Sequence, residues 1–267
     1  VVVALQRGLK RSFEFRHLVA EFVKSDLKSR YVGSMLGLYW SVINPILLLI
    51  IYTLVFSVIL GVRFAKDGSI HNYSLYLFCG MLPWIAFQES ITTSVTTLTS
   101  HANLVKNVVF PLKSLHTSLV ISALISELIG IAILLVFRLA FTGTFGYLFP
   151  LLPIVIFFQF LLTMGFALLL SALNVFFRDV NPLMRPIISM WMYLTPVFFP
   201  LSIIPMKVRI FIYINPMTSL VTAYRDILLN DRLPGAGFIY FMIFSVVIFI
   251  FGYRFFTKNH MKLVDLL

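Results

Sequence analysis

The chain has 267 residues, of which 60% are hydrophobic and only 12% charged, with a mean hydropathy of +0.98. Soluble domains usually hold roughly 45–50% apolar residues, and a surface so poor in charge would not stay dispersed in water, so a soluble globular protein is excluded in favour of a polytopic helical membrane protein. The net charge of +11 is no nucleic-acid signal, because the basic residues gather at the ends of apolar runs, where anionic headgroups and the positive-inside bias account for them.

The opening VVVALQRGLKR carries too short an apolar stretch for a signal-peptide core. Residues 15–30 then set Phe15, Leu18, Val19 and Phe22 at i, i+3, i+4 and i+7, with Glu21, Lys24, Ser25 and Lys28 on the other face. This spacing predicts an amphipathic helix in the plane of the interface, within a cytoplasmic segment over 1–37. A membrane domain over 38–267 follows it. Apolar stretches of about 20 residues, the length a bilayer crossing needs, predict six spans at about 38–60, 73–98, 115–140, 148–176, 183–200 and 236–256. The fold class is therefore an all-α integral membrane protein of six transmembrane helices.

The second span contains Cys79, whose apolar surroundings suit an inert buried thiol; as the one cysteine, it excludes an internal disulfide and a cysteine metal cluster. The span ends in ITTSVTTLTS, whose hydroxyls can bond back to helix carbonyls without breaking the helix. After it, HANLVKNVVFPLKS places Leu104, Val105, Val108 and Val109 on one helical face beside Lys106, and Pro111 stops the turn. Such a stripe either docks another protein or packs on its own bundle. The third span repeats Ser114, Ser118, Ser122, Ser126 and Gly130 every four residues, which predicts a seam of close helix packing. Glu89 and Glu127 lie deep in spans. Carboxylates at that depth are functional candidates by default, as a proton relay or as protonated or paired groups, and the sequence leaves their role open.

From Arg178 to Leu229, prolines at 182, 186, 196, 200, 205 and 216 interrupt the chain too often for a plain span and loop. Broken helices at membrane depth are tolerated where they are buried in protein or line a cavity. Short external re-entrant helices are expected at about 200–232, with Lys207 and Arg209 at a pore mouth or among headgroups. The amphipathic segment 216–230 is expected at the outer interface. With both termini cytoplasmic, fourteen Lys and Arg residues fall on the inner side and seven on the outer, which sets the orientation.

The chain is rich in aromatics, with 28 Phe, 11 Tyr and 3 Trp. Interface belts and packing account for many. Tyr39, Trp40, Tyr52 and Phe56 of the first span and Trp191, Tyr193, Phe198 and Phe199 of the fifth can instead line a conduit, where ring faces stack on the apolar faces of sugars. No G-x-x-x-x-G-K-[ST], HExxH or G-x-S-x-G cluster occurs, so the chain lacks the usual cradle for nucleotide phosphates and an enzyme is not expected. Energy must come from a partner or a gradient.

The run YVGSMLGLYWSVINPILLLIIYTLVFSVIL, followed by FFRDVNPLMRPIISMWMYLTPVFFPLSIIP and NPMTSLVTAYRDILL, resembles the ABC-2 type permeases that export polysaccharides. The likeness runs in order along nearly the whole chain. It implies a homodimer joined to two copies of a separate ABC ATPase, which binds ATP and Mg, so that this chain itself carries no cofactor and no metal. It implies a coupling helix at about 101–113, where Leu104, Val105, Lys106, Val108 and Val109 meet the ATPase. The implied substrate is an undecaprenyl-diphosphate-linked polysaccharide (an O-antigen, capsule or teichoic acid). It is taken from the cytoplasmic leaflet of the bacterial inner membrane into an aromatic-lined channel at the dimer centre, lined by the first and fifth spans. Lys28, Arg30, Gly33 and Gly37 would receive the diphosphate, basic groups suiting a multivalent acceptor. Membrane lipids are partners and nucleic acid is not. The rival readings are an ABC-2 permease for lipids or drugs, a membrane-embedded transferase using Glu89 or Glu127, and a channel or anchor with no ATPase.

Overall fold

The computed structural model describes residues 2–29, 39–59, 70–107, 111–143, 146–201 and 204–267, and every regular element among them is helical. In chain order these are α1 (Val2–Ser29), α2 (Trp40–Tyr52), which continues as a π-helical stretch over Thr53–Ile59, α3 (Ile70–Ser100) and α4 (Ala102–Asn107). Then come α5 (Lys113–Thr142), a 3₁₀ turn at Phe149–Leu151 leading into α6 (Leu152–Phe176), and α7 (Val180–Tyr193). The last four are α8 (Met206–Ile214), α9 (Pro216–Leu228), α10 (Ala236–Lys258) and α11 (His260–Leu266). Among the described residues three stretches, Lys113–Phe141, Phe149–Phe176 and Ala236–Lys258, are long and apolar enough to cross a membrane, and Val42–Val55 is a shorter apolar helix. At 31 residues α3 has the length as well, about 46 Å at 1.5 Å per residue, but polar side chains such as His71, Asn72, Gln88 and Glu89 lower its hydropathy.

The apolar stripe of α1 is used as the spacing predicts, though against protein. Val19 and Val23 are buried and Phe15, Leu18 and Phe22 half-buried, and α1 packs on α5. On its outer face Lys24 lies 2.9 Å from Glu21, and the ammonium holds that carboxyl below the usual carboxylate range. The pair is exposed and adds little to stability.

Two small-residue seams bring the long helices together. On α5, Ser114, Ser118, Ser122 and Gly130 are buried, and a Cβ at Gly130 would collide with Leu82 Cδ2 of α3. The closer seam joins α6 and α10. A Cβ on Gly165 would meet the Ile248 carbonyl and the Phe249 nitrogen at 2.7 Å, and one on Gly252 would overlap the Gly165 carbonyl oxygen. Without a hydrophobic drive between helices in lipid, backbone approach of this kind supplies the contact.

Two expectations for the proline-rich half need correction. The fifth apolar stretch is helical only over Val180–Tyr193, 14 residues or about 21 Å, which is shorter than a hydrocarbon core of about 30 Å. The residue before Pro196 is driven out of the α region, and the chain turns at 194–199. Second, α9 is covered by protein and does not present an apolar face to lipid and a polar face to water. Every residue from Pro216 to Leu228 is buried except Thr222 and Asp226, which are partly covered, and α3, α6 and α10 surround it. Its amphipathic look misled because its polar side chains, Tyr224 and Arg225, find partners inside the protein rather than in water.

The α5–α6 turn is tied to the end of α9. Gly143 closes α5 in the left-handed conformation, with φ 66°, a conformation that favours glycine. Arg138, buried, donates from Nη1 to the Leu228 carbonyl at 2.6 Å and from Nη2 to Asp231 Oδ2 at 2.6 Å. Arg138→Met should cost about 2 kcal/mol, less than for a fully dry pair because Asp231 keeps some solvent. Thermal unfolding in detergent is the check, and Arg138→Met with Asp231→Asn should recover part of the loss.

Candidate functional site

The segment that follows α7 is a loop at the heart of the bundle, and every backbone carbonyl from Leu194 to Phe199 accepts a hydrogen bond. Asn215 Nδ2 donates to Leu194 O at 3.3 Å, and the Val197 amide to Thr195 O at 2.7 Å. Arg225 donates from Nη1 to Pro196 O and from Nη2 to Val197 O, both at 2.6 Å. Tyr73 and Tyr76 donate their hydroxyls to Phe198 O at 2.8 Å and Phe199 O at 3.3 Å. Irregular backbone away from water needs its polar groups met by protein, and here side chains of α3, of α9 and of Asn215 at its N-cap meet most of them.

Asn215 organises the junction. Its Oδ1 accepts from the Met217 amide at 3.0 Å, capping α9 ahead of Pro216, and from Trp191 Nε1 at 2.9 Å. Its Nδ2 also donates to Thr195 Oγ1 at 2.9 Å. An Asn-Pro pair at the N-cap and N1 positions is a strong helix start, so the sequence dictates where α9 begins. Trp191 then enters an edge-to-face cluster with Trp84, Phe87 and Phe166, ring centroids 5.3–6.2 Å apart. Trp84 and Phe87 are fully buried. This cluster fixes α7 on α3 and α6.

The eight aromatics expected to line a conduit therefore divide. Trp191 is a packing keystone held on its indole nitrogen, and Tyr52 is half-buried beside the core. Tyr39 and Tyr193 face outward, 74% and 66% exposed. Tyr193 stacks on the half-buried Phe198 at 6.1 Å and 27°, forming an aromatic ledge at the end of α7. Trp40 and Phe199 are half-buried. The Phe56 side chain lies outside the described residues. Beside the ledge, α7 leaves Leu183, Ile187 and Met190 exposed, and α2 leaves Val42, Leu47, Ile50 and Ile51 exposed.

The two intramembrane carboxylates share one cavity of about 260 Å³ between α2, α3 and α5, lined also by Asn44, Pro45 and Ser126. Glu127 is buried, and its Oε2 accepts from Gln159 Nε2 at 2.7 Å. The Tyr224 hydroxyl donates to Gln159 Oε1 at 2.6 Å, which closes a chain from α9 through α6 to α5. Glu127 stands out in the sequence, while its partners do not. A glutamine inside an apolar span was the available signal for Gln159; nothing local marked Tyr224.

At the other end of the bundle, α4 turns Val105 into the protein's own core, leaves Leu104 half-buried and exposes Asn103 and Lys106. Val105 is thus no free docking residue: a single helix turn between α3 and α5 must bury one side chain to hold its place. Val108 and Val109 lie outside the described residues. Next to α4 is a polar cavity of about 350 Å³, lined by Thr96, Thr99, Ala102, Asn174, Arg178 and Asn181 with Leu266 and Leu267 of the C-terminal end. Lys28 is exposed in the last turn of α1, while Arg30, Gly33 and Gly37 fall outside the described residues. Among the described residues no group of three or more His, Cys, Asp or Glu side chains could hold a metal ion.

The profile of a family described as ABC-2 type transporter matches residues 18–229. The chain is 32% identical over 232 residues to an O-antigen export system permease protein RfbA of Myxococcus xanthus, covering 86% of this chain and 87% of the relative. It is 30% identical over 252 residues to a protein of the same name from Klebsiella pneumoniae, covering 94% and 95%. It is 22% identical over 250 residues to the polysialic acid transport protein KpsM of Escherichia coli, covering 91% and 94%. The chain belongs to the ABC-2 type transporter family.

Proposed function

We propose that this chain is the membrane-spanning subunit of an ATP-driven exporter that carries a lipid-linked polysaccharide out of the cytoplasm. In this reading two copies form the channel, and two copies of a separate ABC ATPase bind ATP with Mg and hydrolyse it. The chain sits in the bacterial inner membrane with six crossings and both termini cytoplasmic. The observation that carries the reading is likeness along almost the whole chain to a permease named for O-antigen export, 94% of this chain against 95% of that one. The exposed aromatic ledge of Tyr193 and Phe198 at the end of α7 is consistent with it, since ring faces suit the apolar faces of passing sugars while hydroxyls stay wet. The short α7 leads into a loop whose carbonyls all accept hydrogen bonds from protein groups, which lets irregular backbone lie among helices away from water.

Lys28 and the neighbouring Arg30, Gly33 and Gly37 are assigned here to reception of the undecaprenyl diphosphate. The α4 segment is assigned to the ATPase, with Lys106, Asn103 and Leu104 as the surface it offers. Lys106→Glu should lower the ATPase captured per permease by about tenfold, because a reversed charge at a docking rim disfavours the partner. Co-purification of tagged permease with its ATPase is the measurement, and unchanged capture would remove α4 from the interface. Lys28→Gln with Arg30→Gln should leave capture intact and depress glycan export.

A further inference from the structure

We propose that Arg225 is a positioning residue that clamps the loop 194–199 in place, and that this loop is the movable barrier of the export path. The inference rests on the reading of the chain as one half of a pore. A guanidinium at this depth is costly, and Arg225, 5% exposed, is met by carbonyls and a ring: besides Pro196 O and Val197 O it approaches Tyr76 O from Nε at 3.3 Å and lies 3.5 Å above the Tyr76 ring. Gly80 makes room for it, since a Cβ there would stand 2.5 Å from Nη2.

The arrangement is more than a fastener for α9. The loop 194–199 is anchored through side-chain donors that reach it from α3, from α9 and from Asn215, and among the described residues a local backbone amide meets Thr195 O. Side-chain donors can let go without unravelling a helix. The loop also carries the outward ledge, because Phe198 stacks under Tyr193, so a shift of Pro196 and Val197 moves an exposed aromatic surface. Arginine suits the clamp because its rigid planar fork is already shaped to span two carbonyls at once, whereas a lysine ammonium is a point charge without that fixed geometry. Arg225 is thus the strongest single tie between the fixed α3–α9 wall and the loop.

The test uses the full chain with its ATPase in sealed vesicles and reads passive leak of a small anion without ATP, alongside assembly and glycan export. Arg225→Lys should assemble and leak at least about tenfold faster than the unaltered protein, since loss of one charged hydrogen bond shifts a closed–open balance by that factor. Tyr73→Phe with Tyr76→Phe, which keeps the arginine and frees Phe198 O and Phe199 O, should leak to a smaller extent and serves if the lysine variant fails to accumulate. A purely structural role predicts poorer assembly with tight vesicles. Tight vesicles from either assembled variant would overturn the clamp, while absent glycan export by the unaltered protein would overturn the functional reading and leave the leak result standing.

Discussion

Gly252→Val should abolish accumulation of the folded chain in the membrane. Its first side-chain carbon would occupy the position of the Gly165 carbonyl, and the reverse substitution at Gly165 meets the Ile248–Phe249 peptide at 2.7 Å. Both obstacles are backbone, so no rotamer change relieves them and the two helices must separate. Overpacking a core costs about 1–3 kcal/mol even where side chains can give way, and forcing α6 from α10 also opens the contacts around Phe241, Ser245 and Phe256, all buried. Gly252→Ala should be milder in degree and the same in sign. The check is the yield of monodisperse protein after detergent extraction, with Ile243→Val, on the exposed face of α10, as the tolerated control.

Gln159→Leu should be nearly as damaging, and Glu127→Gln should not. Gln159 is the middle of the chain linking Tyr224 on α9, itself on α6, and Glu127 on α5. Leucine removes both bonds together and takes a partner from a buried carboxyl and from a buried phenol, a loss of about 1–3 kcal/mol for each group left unmet. Glutamine at 127 keeps the shape and an oxygen able to accept from Gln159. If Glu127 instead carried a catalytic or relay role, its amide would abolish function in a chain that assembles normally. Comparison of assembly and export for the two variants separates these outcomes: loss in Glu127→Gln with full assembly would reject the structural reading of the carboxyl.

Periodicity made the bundle legible and left the proline-rich half obscure. Period-3.6 patterning located α1, and small residues every four positions located the α5 seam, because both depend on neighbours along one helix face. The fate of α9 does not. Its stretch alternates polar and apolar groups like an interfacial helix, and only the three-dimensional positions of Tyr76, Gly80 and Pro196 reveal that Arg225 is met inside. Trp191 illustrates the same limit, since an aromatic in a span reads alike whether it borders a path or locks to Asn215. Val105, buried in this chain, shows a related limit: a six-residue helix has too few turns to reveal from sequence which face its anchors claim. The family likeness carried the functional assignment, and packing decided which residues remain available to serve it.

In the function proposed here, this chain moves a lipid-linked polysaccharide when its ATPase turns over. The direct measurement reconstitutes the chain with that ATPase in vesicles, presents an undecaprenyl-diphosphate-linked glycan on the ATPase-bearing face, and follows protection of the glycan from an added glycosidase. The account predicts protection that requires ATP and is lost when the ATPase subunit is omitted. Steady ATP turnover with the glycan left fully accessible would contradict it.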